Sequence, residues 1–257
     1  MPVKLFAKTS GAGKPVILIH GLFGAGDNLA VVARALASYY CVHLLDLRNH
    51  GVSPHVDTMD YPSMAADVLA YMDDNGFEKA ALLGHSMGGK VAMQLALDAP
   101  ERVTGLIVAD IAPVEYPAWH DNVFIGMFAV AEQTIHQRRE ADQILAKYVA
   151  ESGVRQFLLR NLVRNTEGRY VWRVNLSAIH DSYQNIRIAP AGDMPYGGPV
   201  LFVKGEHSDY IDCTHQKQVL SLFPASQLKV IGGAGQWLHA AKPQLFNRVV
   251  SGFLHKN

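Results

Sequence analysis

Three observations predict an α/β fold for this 257-residue chain: a mostly parallel central sheet with helices on both faces and one inserted helical segment. Short, continuously apolar runs recur along the chain. Stretches with helical spacing separate them. The alternation stops between residues 116 and 195 and then resumes. A run that is apolar at every position suits a strand covered on both faces, which is the condition of a parallel sheet. Alternation of such strands with helices calls for right-handed crossovers.

The predicted strands, in order, are 15–20 (PVILIH), 41–46 (CVHLLD), 80–85 (AALLGH), 106–110 (LIVAD), 199–204 (PVLFVK) and 228–231 (LKVI). A helix over 28–39 follows Asp27, a suitable N-cap. A second, over 63–74, sets Met64, Val68 and Met72 at i, i+4 and i+8 on one face. A third, over 91–98, ends shortly before Pro100, and a fourth, over 243–254, closes the chain. The stretch 116–195 is more polar and reads as helices over 122–132, 134–148 and 152–162, with no strand-like run. Pro113, Pro117, Pro190 and Pro195 stand near its ends. The resulting organisation is a core of residues 1–115 and 196–257 with a helical cap, 116–195, inserted in it. Insertions beside a site often act as lids.

Composition narrows the function. Hydrophobic residues make up 49% of the chain and charged residues 18%, which excludes a disordered chain. Lys+Arg is 23 and Asp+Glu is 23, so no basic footprint for nucleic acid exists at the level of the whole chain. No apolar run reaches the roughly 18 residues of a membrane span. The N-terminus lacks the basic and apolar regions of a signal peptide. Cys41 and Cys213 read as free thiols, so a cytoplasmic location is expected. Twelve histidines include no H-E-x-x-H and the cysteines make no ligand pair, so neither metal nor cofactor is expected.

The strongest chemical signal is Gly84-His85-Ser86-Met87-Gly88, directly after a predicted strand. A serine on a sharp strand-to-helix turn exposes its hydroxyl, and the following helix aims its positive end at a developing oxyanion. Glycines two residues to either side let strand and helix approach. The same stretch, Gly84 to Lys90, imitates a phosphate-binding loop, but Val91 stands where Ser or Thr must hold magnesium. Gly24-Ala25-Gly26 is no dinucleotide fingerprint, because Leu29 replaces the third glycine.

A nucleophilic serine needs a base and an orienting acid. His239, at the end of the glycine-rich 233–239 loop (GAGQWLH), is the candidate base. The residues leave two acids open, Asp110 after the strand 106–110 and Asp209 after the strand 199–204, with Glu206 and Asp212 weaker. At the front, His20-Gly21-Leu22-Phe23-Gly24 follows a strand. The backbone N–H of Leu22, with Phe23 second, would pair with that of Met87 as an oxyanion hole. His20 reads as a buried structural histidine.

Together HGLFG, DLRNHGVS (46–53), GHSMGG and GAGQWLH resemble the α/β-hydrolase superfamily. HGLFGAGDN (20–28), DIAPVEY (110–116) and WRVNL (172–176) are similar to the YbfF-type bacterial esterases and their ABHD-type relatives. The resemblance implies a hydrolase core with a helical cap and an acyl ester or thioester as the small-molecule partner. It implies Asp110 as the triad acid, with Ser208 as an auxiliary group and Asp209 as the alternative. Gln236 stands where relatives often carry histidine, while His239 remains. Ser86 excludes the carboxylate-nucleophile branches. The scheme that follows is acyl transfer through Ser86, His239 and Asp110. Phe23, Phe124 and Trp172 are the candidate pocket residues, with a place in the cap core as the other reading of Phe124 and Trp172. Arg48, Asn49 and His50 shape a loop beside the site. Arg155, Arg160 and Arg164 read as a solvated helix face, with an anionic substrate such as a CoA thioester as the alternative. The competing readings are a carbon–carbon bond hydrolase and a hydrolase-fold protein that binds without turnover. The sequence does not give the oligomeric state.

Overall fold

A computed structural model describes all of residues 1–257. The first half of the chain runs through β1 (Ala7–Ser10), β2 (Pro15–Ile19), α1 (Ala30–Leu36), β3 (Cys41–Leu45), α2 (Tyr61–Asp74), β4 (Ala80–His85), α3 (Met87–Asp98) and β5 (Val103–Ala109). A long excursion follows: α4 (Asp121–Ala131), α5 (Arg138–Leu145), α6 (Ser152–Leu159), β6 (Leu162–Arg164), β7 (Tyr170–Trp172), α7 (Leu176–Asp181) and α8 (Tyr183–Arg187). The chain then returns through β8 (Val200–Gly205), α9 (Gln216–Leu222), β9 (Ser226–Ile231), α10 (Leu238–Ala241) and α11 (Pro243–Leu254).

Seven strands form one sheet in the order β1-β3-β2-β4-β5-β8-β9, parallel except for β1. Strand side chains alternate between its faces, so the apolar runs of β2, β4, β5 and β8 feed two cores, while β9 at the edge buries only Ile231. Ile17, Ile19, Leu82, Leu106, Val108 and Phe202 pack with α2, α3 and the excursion. Val16, Leu18, Leu83, Ile107, Leu201 and Val203 pack with α1, α10 and α11 on the other face. Full burial of each such side chain stabilises the fold by about 1.5–3 kcal/mol, which is why β2 to β5 are apolar apart from His43, His85 and Thr104.

All six expected strands are present, and the structure adds elements to them. β1 is polar (AKTS) and owes its form to antiparallel pairing with β3. The excursion, expected to be helical throughout, contains the β6–β7 hairpin. The helix expected over 28–39 is a 3-10 turn, Gly26–Leu29, followed by the shorter α1. The one expected over 134–148 is only α5. No helix is long and apolar enough to cross a membrane.

The sheet gathers its strained residues at one edge. Four non-glycine residues have positive φ: Phe23 (58°), Asn49 (64°), Ser86 (52°) and Asp110 (56°). They follow β2, β3, β4 and β5, the C-terminal ends of neighbouring strands, where open α/β sheets bind ligands. Such strain persists only where the surroundings over-determine it, and it clusters at functional sites.

Candidate active site

Ser86 is the N-cap of α3, with φ 52° and ψ −123°. Its N–H donates to the Ala109 carbonyl at 2.9 Å, tying the turn to β5. The flanking glycines are required by space. A Cβ on Gly84 would collide with the backbone of Gly88 and Gly89, and one on Gly88 with the carbonyls of Ile19 and His20. The G-x-S-x-G spacing is thus the condition for β4 to turn directly into α3 while resting against β2.

The 20–24 turn is built by two neutral histidines. The Leu47 N–H donates to His20 Nε2 at 3.0 Å, so Nδ1 carries the proton and donates to Gly21 O at 2.8 Å. The Phe23 N–H donates to His50 Nε2 at 3.1 Å, while His50 Nδ1 donates to Arg48 O at 3.0 Å. Burial pushes His20 down to about 4 and His50 to about 3. Both rings therefore stay neutral and keep one acceptor nitrogen each. The Phe23 amide is consumed by His50, whereas the Leu22 N–H has no partner within the protein. Met87, the first residue of α3, has no intrahelical acceptor for its N–H. Two free amides therefore flank Ser86.

Asp110 is fully buried after β5. Its Oδ1 accepts from the Gly205 N–H at 2.9 Å and its Oδ2 from the Ser208 hydroxyl. Burial raises its pKa to about 6, against the lowering effect of those two hydrogen bonds. Asp209 is exposed.

The one hydrogen bond to Ser86 Oγ comes from the Gln236 side chain, Nε2 to Oγ at 3.3 Å. The Gln236 backbone carbonyl accepts from His85 Nε2 at 3.0 Å, and the Tyr210 hydroxyl lies beside its amide. His239, on α10, packs edge-to-face with His85, ring centroids 4.5 Å apart, and with Phe246 at 6.1 Å. Its Nδ1 is buried without a hydrogen-bond partner. Burial, with His85 adding to it, holds its pKa well below the ordinary histidine range.

These residues open on a cavity of about 580 Å³, lined by Leu22, Phe23, Ser86, Gln236 and His239 from the core and by Trp119, Val123, Tyr148, Phe157 and Arg160 from the excursion. A smaller pocket of about 40 Å³ adjoins Ser86 on the side of Tyr61, Ile111 and Tyr116.

A family model for the alpha/beta hydrolase fold matches residues 14–243. The chain belongs to the α/β-hydrolase family. This hydrolase is 38% identical over 253 residues to Esterase YbfF of Escherichia coli (strain K12), covering 97% of this chain and 96% of that protein. It is 39% identical over 247 residues to the sn-1-specific diacylglycerol lipase ABHD11 of Mus musculus, covering 93% of this chain and 80% of that one. A solved structure described as a marine microorganism esterase superposes with a TM-score of 0.93 at 38% identity, covering 98% of this chain and 99% of the other.

The structure places four side chains that the sequence left open or passed over. Phe124 is buried against Phe23 and Tyr183, and Trp172 donates through Nε1 to Met127 O; both are packing residues, and neither is in the cavity wall. Of the three expected pocket aromatics, only Phe23 lines it. Arg155 is not a solvated side chain: it pairs with Asp142 at 2.9 Å and donates to the carbonyls of Val149 and Ala150. Gln236 was not a candidate, although it touches Ser86. Within the 233–239 loop, spacing alone does not say which side chain faces the serine.

Proposed function

We propose that this α/β hydrolase cleaves acyl esters or thioesters through an acyl-serine on Ser86. The observation that carries the reading is the turn at Ser86: a left-handed serine at a helix N-terminus, facing a cavity, with unpaired amides of Leu22 and Met87 beside it. The serine Oγ–C bond forms as the Oγ proton leaves. The carbonyl oxygen becomes an oxyanion between the two amides. The bond to the leaving alcohol or thiol then breaks as that group takes up a proton. Water repeats the sequence and releases the carboxylic acid.

The relatives named esterase support ester bonds as the target. The cavity of about 580 Å³ has room for an acyl chain. Asp110 serves as the acid of the site, buried and hydrogen-bonded, in preference to exposed Asp209. The Oγ proton needs an acceptor. His239 is the histidine the sequence nominates, and it shares the cavity wall with Ser86 without a hydrogen bond to it. Cys41 and Cys213, both free, suit a reducing, cytoplasmic compartment.

The test is hydrolysis of p-nitrophenyl esters from acetate to palmitate, wild type against Ser86→Ala. Turnover, at whatever rate, should vanish with the hydroxyl, and the chain-length profile should report the size of the pocket. Ester hydrolysis that survives Ser86→Ala in a folded protein overturns the assignment.

A further inference from the structure

A general base stands within hydrogen-bond reach of the group it deprotonates, typically about 2.6–3.2 Å between heavy atoms and longer before substrate binds. At Ser86 that place is filled by Gln236, whose Nε2 lies 3.3 Å from Oγ. Three neighbours fix the residue there. His85 Nε2 holds its backbone carbonyl. The Tyr210 hydroxyl lies beside its side chain. The Gly205 backbone, whose N–H donates to Asp110, runs so close to Gly235 that a Cβ on Gly205 would strike the Gly235 carbonyl. Asp110, Gly205, Gly235, Gln236 and Ser86 therefore form one continuous path. A carboxylate lies at one end, the hydroxyl at the other, and an amide stands between them where an imidazole would be needed.

His239 lies off this path. Asp110 receives hydrogen bonds from Gly205 and Ser208 and none from His239, whose Nδ1 has no partner to fix its tautomer. A histidine oriented by an acid through Nδ1 is the geometry the chemistry requires. Packed edge-to-face with His85 and Phe246, His239 has the surroundings of a packing residue.

We propose that Gln236 occupies the seat of the general base, so that the native chain binds acyl esters in a formed site but acylates and deacylates Ser86 without a side-chain base. An amide does not take up a proton near neutral pH. With its oxygen and nitrogen exchanged, it would accept the Oγ–H hydrogen bond and still leave the proton in place. In the native reaction the Oγ proton therefore passes to hydroxide from solvent, and the leaving group draws its proton from water. The acyl-serine persists because water attacking it also lacks a base. The inference rests on Ser86 being the nucleophile.

The test is Gln236→His against wild type on p-nitrophenyl acetate and butyrate, with pH–rate profiles from pH 5 to 10. General acid–base assistance contributes typically 10²–10⁴-fold, so Gln236→His should raise kcat/KM by about 100-fold or more. It should also introduce an inflection in the histidine range, where the wild-type rate climbs with hydroxide. Intact-mass spectrometry should find a stoichiometric acyl adduct on wild type that turns over in the variant. A wild-type rate equal to that of Gln236→His, with a histidine inflection that His239→Gln removes, would assign the proton to His239 and overturn the proposal. Adding Ser86→Ala to each background separates the two readings. Loss of all turnover keeps Ser86 whatever becomes of Gln236, and survival of turnover removes the nucleophile itself.

Discussion

Asp110 is the buried carboxyl of the site, and burial disfavours its charge. Its carboxyl is fully buried, it receives two hydrogen bonds, and its pKa still rises to about 6 because burial outweighs both. The sign of the linkage follows. Between the ordinary carboxylate value near 4 and about 6, the folded chain holds a proton that the unfolded chain has released, so stability falls as pH rises through that window. Asp110→Asn removes the charge while keeping the Gly205 and Ser208 partners. It should match or exceed wild type in urea denaturation at pH 7.5, with the advantage shrinking toward pH 4. In activity the order reverses. In the Gln236→His background, Asp110→Asn should lose on the order of 10²–10⁴-fold in kcat, whereas Asp209→Asn, on an exposed side chain, should stay within a few-fold. A larger loss from Asp209→Asn would move the acid to that loop.

At the scale of elements, the left-handed Phe23 depends on the loop after β3. His50 accepts the Phe23 N–H, and the loop is itself pinned where Arg48 Nε and Nη2 meet Asp67 of α2 at 2.6 and 2.7 Å, both side chains buried. His50→Leu removes the acceptor and leaves the Phe23 amide unpaired in the interior, at a cost of about 1–3 kcal/mol. It should also slow hydrolysis, because the Leu22 amide sits on the same turn; unchanged stability in urea would show that the turn does not need His50. The same elements show what sequence can and cannot give. β2 to β5 were legible because burial on both faces leaves them almost wholly apolar, with His43, His85 and Thr104 as the exceptions. The G-x-S-x-G turn was legible because glycines are the sterically required residues there. β1 has no such pattern, since pairing with β3 makes it a strand. The β6–β7 hairpin is three residues a side, too short for periodicity. Phe124 and Trp172 were aromatic and in the right segment, but whether an aromatic side chain faces a cavity or a core depends on packing between elements. Gln236 was passed over for a related reason. Three residues from His239, it points at the serine because the Gly205 and Gly235 backbones lie against each other, and that contact joins residues distant in the chain.

On the scale of the whole molecule, one side chain joins both ends of the excursion to the helix that Ser86 caps. Lys90 sits on α3, one turn beyond Ser86, and is buried. Its Nζ donates to Val114 O at 2.7 Å, where the chain leaves the sheet, and to Arg187 O at 2.9 Å and Ile188 O at 2.6 Å, where it returns. The ammonium also lies 4.8 Å from the Tyr116 ring centroid and 5.5 Å from that of Tyr61. Three N–H donors meet three carbonyls, the full capacity of a charged lysine, which explains why a lysine follows the glycine pair with no phosphate to bind. Burial brings its pKa down to about 7. From there up to the ordinary lysine value the unfolded chain holds the proton and the folded chain does not, so this group adds stability as pH rises from 7 to about 10 and withdraws it as pH falls back. Below pH 7 the cost of the buried charge is constant. Lys90→Met leaves three carbonyls without a donor, at roughly 1–3 kcal/mol each where water cannot reach them. It should therefore lose about 3 kcal/mol or more at pH 7 and lack the wild-type gain between pH 7 and 9.5 in urea denaturation. Limited proteolysis should cut the variant first near residues 112–117 and 187–191, because those connections lose their shared anchor while the sheet keeps its own. Equal stability together with protease resistance at both connections would mean that the excursion is held by its apolar contacts alone, with Lys90 only filling the space between Tyr61 and Tyr116.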